Sequence, residues 1–329
     1  MKQLKLAALL AMTLAPSALL AQDKPGEGVT VRPIMPVQIE EHMQHLILFR
    51  ALEDLGYTIA EPDEAEYQTL HLAVGAGDAD FTAVSWDVLH DSFFQEAGGD
   101  AVLTKVGTLI KGALQGYMVD KASYDAGITD LSQLADPEVA KRFDADGDGK
   151  ADLAGCIPGW GCERVIEHHL DEYGLRDTVT HNQGAYQAMI ADSMARLENG
   201  QSILYYTWTP YWVAGELVPG RDAEWLSVPY TSLPDGATAN TEFEGKNLGF
   251  AVDSIRVVAR NDFLEANPAA RALFEAATID INDISAEALR ISSGEDSDED
   301  IERHADEWIA AHQAEYDSWL AAARAAVPN

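Results

Sequence analysis

The chain moves between two hydrophobic rhythms. Residues 28–37, "GVTVRPIMPV", alternate apolar and polar positions like a first strand. Residues 39–57, "IEEHMQHLILFRALEDLGY", then carry apolar side chains at helical spacing and stop at Gly56. "DADFTAVSWDVLHDSFFQEAGG" (78–99) repeats the plan, with a strand, Ser85 as the expected helix cap, and a helix ending at Gly98. Such units predict an α/β chain with a largely parallel sheet and helices on its faces. From 112 onward the pattern turns irregular through "DADGDGKADL". Helices are then predicted over 162–174 and 185–200 and a strand over 202–208. Extended segments resume over 245–260, followed by a helix-rich tail from Pro268 to Ala326. At 329 residues the chain exceeds one compact core, and two α/β lobes fit it best. Residues 22–117 and 249–329 are expected to form lobe 1, with the tail folding back on it, and 118–248 lobe 2.

The first residues, "MKQLKLAALLAMTLAPSALLAQD", combine two lysines, a short apolar run, Pro16 and a small-residue exit at Ala21. They read as a secretory signal peptide spanning 1–21. No later stretch approaches the roughly 18–20 apolar residues of a membrane span, so a soluble mature chain is expected. No cysteine follows the cleavage point to carry a lipid. Formal charge is −33; removing 1–21 takes Lys2 and Lys5 away, leaving 20 basic against 55 acidic side chains, or −35. That balance argues against nucleic acid or an anionic membrane as partner. The acidic run at 292–308 reads as solvated surface.

Export permits a disulfide, and Cys156–Cys162 is the one intramolecular pairing two cysteines allow. A two-cysteine metal site is the rival, but "CIPGWGC" has the wrong spacing for a zinc knuckle. Trp160 stands inside this loop between two glycines, which leaves its ring to be covered by a distant segment or by a ligand. Trp86 and His90 stand four apart at the expected start of a helix, on one face. "YYTWTPYWV" (205–213) adds Trp208 and Trp212, one expected in the core and the other facing a cleft. Tryptophans in separate turn-like contexts predict an aromatic cage. Ring faces attract a quaternary ammonium, which has no N–H to donate, by about 0.5–2 kcal/mol each when desolvated. The N–H groups of Gly161 and Cys162, opening a helix, suit the carboxylate of a zwitterion, and a protonated His90 would add a charge-assisted bond.

The strings "FTAVSWDVLHD", "FDADGDGKADLAGCIPGWGCE", "TVTHNQGAYQAMIADS", "YYTWTPYWV" and "AHQAEYDSW" resemble those of the periplasmic glycine betaine/proline betaine-binding proteins of osmoprotectant ABC importers. The resemblance implies a two-lobed, type II periplasmic binding protein fold with the ligand in the interlobe cleft. It places the aromatic box on Trp86, Trp160 and Trp208, the carboxylate site on His90, Gly161 and Cys162, and the disulfide on Cys156 and Cys162. It further implies a monomer that delivers its ligand to a permease and its ATPase. The loop "TSLPDGATANTEFEGKN" departs from the pattern and leaves glycine betaine, proline betaine, dimethylsulfoniopropionate and choline as ligands to be distinguished. Choline ranks last because it lacks a carboxylate.

"DADGDGKAD" is a separate candidate. Asp144, Asp146, Asp148, Gly149 and Asp152 match positions 1, 3, 5, 6 and 9 of a calcium loop, but position 12 is Gly155 instead of glutamate. A tight acidic turn and a structural calcium site are the two readings. No G-x-S-x-G, H-E-x-x-H or phosphate loop is present, so an enzyme is not expected. His168 and His169 point about 100° apart on a helix, cannot easily share an ion, and are expected to be exposed. A non-transport sensor on the same fold is the remaining alternative.

Overall fold

A computed structural model describes residues 24–327, so the expected signal peptide lies outside the described residues. A mixed seven-stranded sheet organises them. Its strands are β1 (Phe81–Trp86), β2 (Leu103–Asp120), β3 (Ala151–Ala154), β4 (Val179–Asn182), β5 (Leu204–Thr209), β6 (Ala223–Trp225) and β7 (Asp253–Arg260). The order is β1-β7-β2-β5-β3-β4, with β6 also paired to β2.

The 18-residue strand β2 belongs to both lobes. Leu103–Ala113 pairs with β7, and Leu114–Val119 pairs with β5, so the partner changes between Ala113 and Leu114. Chain that leaves lobe 1 along β2 returns along β7 beside it, in the opposite direction. This return overturns the largely parallel sheet expected from the unit pattern. Within this sheet, among the described residues, only β3 pairs in parallel, with β4 and β5. The pairs β1/β7, β7/β2, β2/β5 and β6/β2 are antiparallel.

The irregular reading is corrected over 112–120, where β2 runs on, whereas from Lys121 to Lys150 the chain does form only short helical turns and bends. Two of the three glycines in β2 look like breakers but sit at ladder irregularities: Gly107 has φ +59° and Gly112 φ +77°, next to register shifts against β7. A bulge needs the left-handed conformation that glycine adopts freely. Gly107 has a second reason to lack a side chain. A Cβ there would lie 2.1 Å from the Phe274 carbonyl oxygen, in a helix laid across the strand.

That helix is α6 (Pro268–Ala276), one of four in the tail with α7 (Ile281–Ser292), α8 (Asp298–Ala311) and α9 (Gln313–Ala325). Helix α6 packs on β2 and on α9, and α8 packs on the helix His42–Asp54, so the tail covers lobe 1. The acidic run is more than solvated surface. Ile301, His304, Ala305 and Trp308 turn one face of α8 inward, and His304 sits between Glu287 and Glu295 at 2.8 and 2.9 Å. Arg290 and Arg303 both pair with Glu295. The sequence expectation that Ser85 caps a helix fails as well: Ser85 is buried within β1, and its hydroxyl meets His71 Nε2 at 3.0 Å.

Gly107→Ala should lower the unfolding free energy by ~2–4 kcal/mol, since strain and a backbone clash act together. Gly112→Ala, whose Cβ meets nothing within 4 Å, should cost about 1 kcal/mol. Urea unfolding of the two variants checks the contrast.

Candidate ligand site between the lobes

The site is paved by the ladder that joins the lobes. Gln115 faces Trp208 and Tyr117 faces Tyr206 across β2 and β5. Side chains two apart share a sheet face, so these four lie on one side. Trp208 stacks on Tyr211 with ring centroids 4.2 Å apart and meets Trp160 edge-on at 5.6 Å. Trp212, by contrast, is half-buried outside this group, against Tyr211.

Trp160 caps the helix α4 (Gly161–Glu172), and the Cys156–Cys162 disulfide closes the loop that carries it. His181 fastens the loop's entry: its Nε2 accepts from the Cys156 N–H at 3.0 Å, and Nδ1 bonds Glu167 at 2.7 Å. The ring of Trp160 is buried in spite of its glycine neighbours, because lobe 1 covers it. Tyr67 lies 5.7 Å from it, and the indole N–H donates to Glu66 at 3.2 Å. Gly161 is a glycine for the same reason. A Cβ there would sit 2.8 Å from both the Leu89 oxygen and Leu89 Cγ. The Gly161 and Cys162 N–H groups, at the first turn of α4, have no acceptor among the described residues.

From lobe 1 come Trp86 and His90. They are not on a helix, as expected, but at the end of β1 and in the turn before the helix Asp91–Glu96. Asp253 holds that turn, accepting from the Val88 and Leu89 N–H groups at 3.1 and 3.0 Å. The His90 ring is neutral, which corrects the charged donor considered from sequence. Burial pushes its pKa well below the usual value, and the nearby His71 and Lys105 push the same way. The Trp86 N–H donates to His90 Nδ1 at 3.3 Å, so the ring's own proton is on Nε2. His90 can still donate one bond to an anion.

Trp86, His90, Trp160, Gly161, Cys162 and Trp208 all line one small cavity, together with Glu41, Tyr67, Leu89, Gln115 and Tyr206. Sequence reasoning missed Glu41, Tyr67, Gln115 and Tyr206. Tyr206 stood within a flagged aromatic string, whereas no local signal marked the other three. Tyr67 donates to Glu41 at 2.7 Å, and the Trp86 indole bonds the same carboxyl group. Burial nonetheless outweighs these bonds and raises Glu41 to about 8. A second cavity of about 390 Å³ adjoins the first and shares Leu89, Gln115 and Gly161 with it. Arg164 and Asp235, paired at 2.7 Å, stand on its wall.

In the acidic loop, Asp144, Asp146 and Asp152 bring carboxylate oxygens within 4.8 Å of one another, without Asp148. These oxygens already bond the loop's own backbone: Asp144 accepts from Gly147 and Gly149, Asp146 from Asp148, and Asp152 from Ala145. Of the adjacent histidines, His169 is fully buried and not exposed as expected, bonded to the Tyr117 hydroxyl and the Ser232 carbonyl.

A cleft between two lobes joined by a shared strand, lined by ring faces and free N–H groups, defines a solute-binding protein. No helix among the described residues is long and apolar enough to cross a membrane. The chain belongs to the family described as the substrate binding domain of ABC-type glycine betaine transport systems, whose model matches residues 37–311. It is 50% identical over 331 residues to the glycine betaine-binding periplasmic protein OusX of Dickeya dadantii, covering 99% of each chain. To the glycine betaine/proline betaine-binding periplasmic protein of Escherichia coli it is 47% identical, over 95% of this chain and 96% of that one. Lactococcal OpuAC in its closed form with glycine betaine shares the fold, with a TM-score of 0.68 at 20% identity over 89% of this chain and 99% of that one.

Glu41 gives a pH test. Its folded pKa lies above the ordinary carboxyl value, so the folded state holds a proton that the unfolded chain releases. Its contribution to stability is full below about pH 4 and is lost as pH rises toward 8, by up to ~1.4 kcal/mol per pH unit. The difference in unfolding free energy between wild type and Glu41→Gln should therefore change steadily over pH 5–8, in favour of the variant as pH rises.

Proposed function

We propose that this protein captures glycine betaine and proline betaine outside the cytoplasmic membrane and delivers them to an ABC permease driven by a separate ATPase. The observation that carries this reading is the convergence of three indoles from three distant segments on the cavity that Gly161 and Cys162 also line. A permanently methylated cation offers no hydrogen bond, and ring faces attract it without one. Two unpaired N–H groups at a helix start, with the Nε2–H of neutral His90, supply donors for the carboxylate. Relatives named for glycine betaine and proline betaine support the same assignment.

Trp86 and His90 come from one lobe and Trp160, Gly161, Cys162 and Trp208 from the other. A ligand touching both sets favours the closed arrangement by the contacts it gains there. The cavity is about 20 Å³, close to the size of one water. Separation of the lobes would widen this space for a trimethylammonium group. Export by the segment 1–21 and action as a monomer complete the proposal.

Trp160→Ala should weaken glycine betaine binding at least tenfold, in line with the loss of ~1.4 kcal/mol or more of cation–π attraction. Tryptophan fluorescence titration with glycine betaine, proline betaine, dimethylsulfoniopropionate and choline tests both points. Wild type should bind the carboxylate ligands more tightly than choline. Unchanged affinity in Trp160→Ala would remove the cage from the account.

A further inference from the structure

Gln115 has a chemistry that the cage does not yet use. Its side chain is 1% exposed and lies beside Trp208, its partner across the ladder. The amide oxygen accepts the Tyr206 hydroxyl at 2.8 Å, while the amide nitrogen has no hydrogen-bond partner among the described residues. Buried amide N–H groups are nearly always paired, because leaving one unpaired forfeits its bonds to water. The Tyr206 hydroxyl fixes which way the amide points. With the amide reversed, the tyrosine proton would lose its acceptor and face an N–H instead. The nitrogen is thus the free end, on a residue that lines both the cage and the larger cavity beside it. Leu89 and Gly161 share that double position, so Gln115 stands at the passage where the first N–H of α4 also lies.

We propose that the Gln115 amide donates a hydrogen bond to the carboxylate of the bound zwitterion, and so helps the site prefer a betaine to a quaternary ammonium alcohol. The proposal rests on the ligand class argued above. The donor set then has three origins: the helix start at Gly161 and Cys162, the His90 ring of lobe 1, and the strand shared by both lobes. Because the strand is common to the two lobes, its donor keeps its place beside Trp208 as they move.

The test compares wild type with Gln115→Met, which keeps the side-chain length without the amide, and with Gln115→Asn, which keeps an amide one methylene short. Dissociation constants are measured by fluorescence titration for glycine betaine and choline, on protein whose folding is checked by thermal unfolding. Loss of a hydrogen bond to a charged group predicts glycine betaine binding about ten- to hundredfold weaker in Gln115→Met, with Gln115→Asn following if the first variant does not fold. Choline binding should change by less than about twofold, since no carboxylate is there to lose a bond. Unchanged betaine affinity, or equal loss of betaine and choline, would overturn the assignment to Gln115. Failure of wild type to bind any betaine would instead overturn the ligand class itself.

Discussion

Everything at the site depends on how closely the start of one helix approaches a turn of the other lobe. At Gly161 that approach leaves no room for a single methyl group beside Leu89. The consequence is a cage made of two halves, neither complete alone. Lobe 1 covers Trp160 through Tyr67 and Glu66, while Trp160 and Trp208 of lobe 2 close over the space beside Trp86. The disulfide belongs to the same constraint. A loop of this length contributes little through chain entropy, but it fixes the direction from which Trp160 and the two following N–H groups face lobe 1.

The electrostatics of the site contrast with those of the chain. A net charge of −33 lies over the whole molecule, yet burial favours the neutral form of several ionisable groups at the cage. His90 and His71 are pushed down as bases, and Glu41 and Tyr67 are pushed up as acids. What remains to act on a ligand is local: ring faces, a helix start and single N–H donors. These groups are already oriented by the fold, so they need little rearrangement to meet a charge.

Much of this was legible in sequence, and the failures have physical causes. Helices at 42–54, 161–172 and 186–198 follow their apolar spacing, and the tail divides into helices as its pattern indicates. Trp160 and the helix-start residues could be found because a tryptophan between two glycines is conspicuous locally. Strand β2 was missed because glycines placed at bulges look the same in sequence as glycines placed in turns. Ser85 resembled a cap because a buried serine bonded to a distant histidine has no local mark. Gln115 and Glu41 follow the same logic. A strand glutamine and a helix-start glutamate become site residues only when pairing sets one beside Trp208 and packing sets the other beneath Trp86.

A zwitterion fits this division between surface and site. Its net charge is zero, so a uniform negative potential from the acidic surface neither attracts nor repels it appreciably, and salt screens that potential within about 8–10 Å. What it responds to is a difference in potential across a few ångströms. Ring faces and the N–H groups of a helix start, lining the same cavity, provide such a difference. The surface is therefore free to carry a large acidic excess for solubility without altering recognition. The acidic groups that penetrate toward the interior obey a stricter rule: Glu287 is paired with His304, and Asp253 is spent on backbone N–H groups. Glu41, enclosed among aromatic rings, meets that rule by another route, because burial there favours its protonated form.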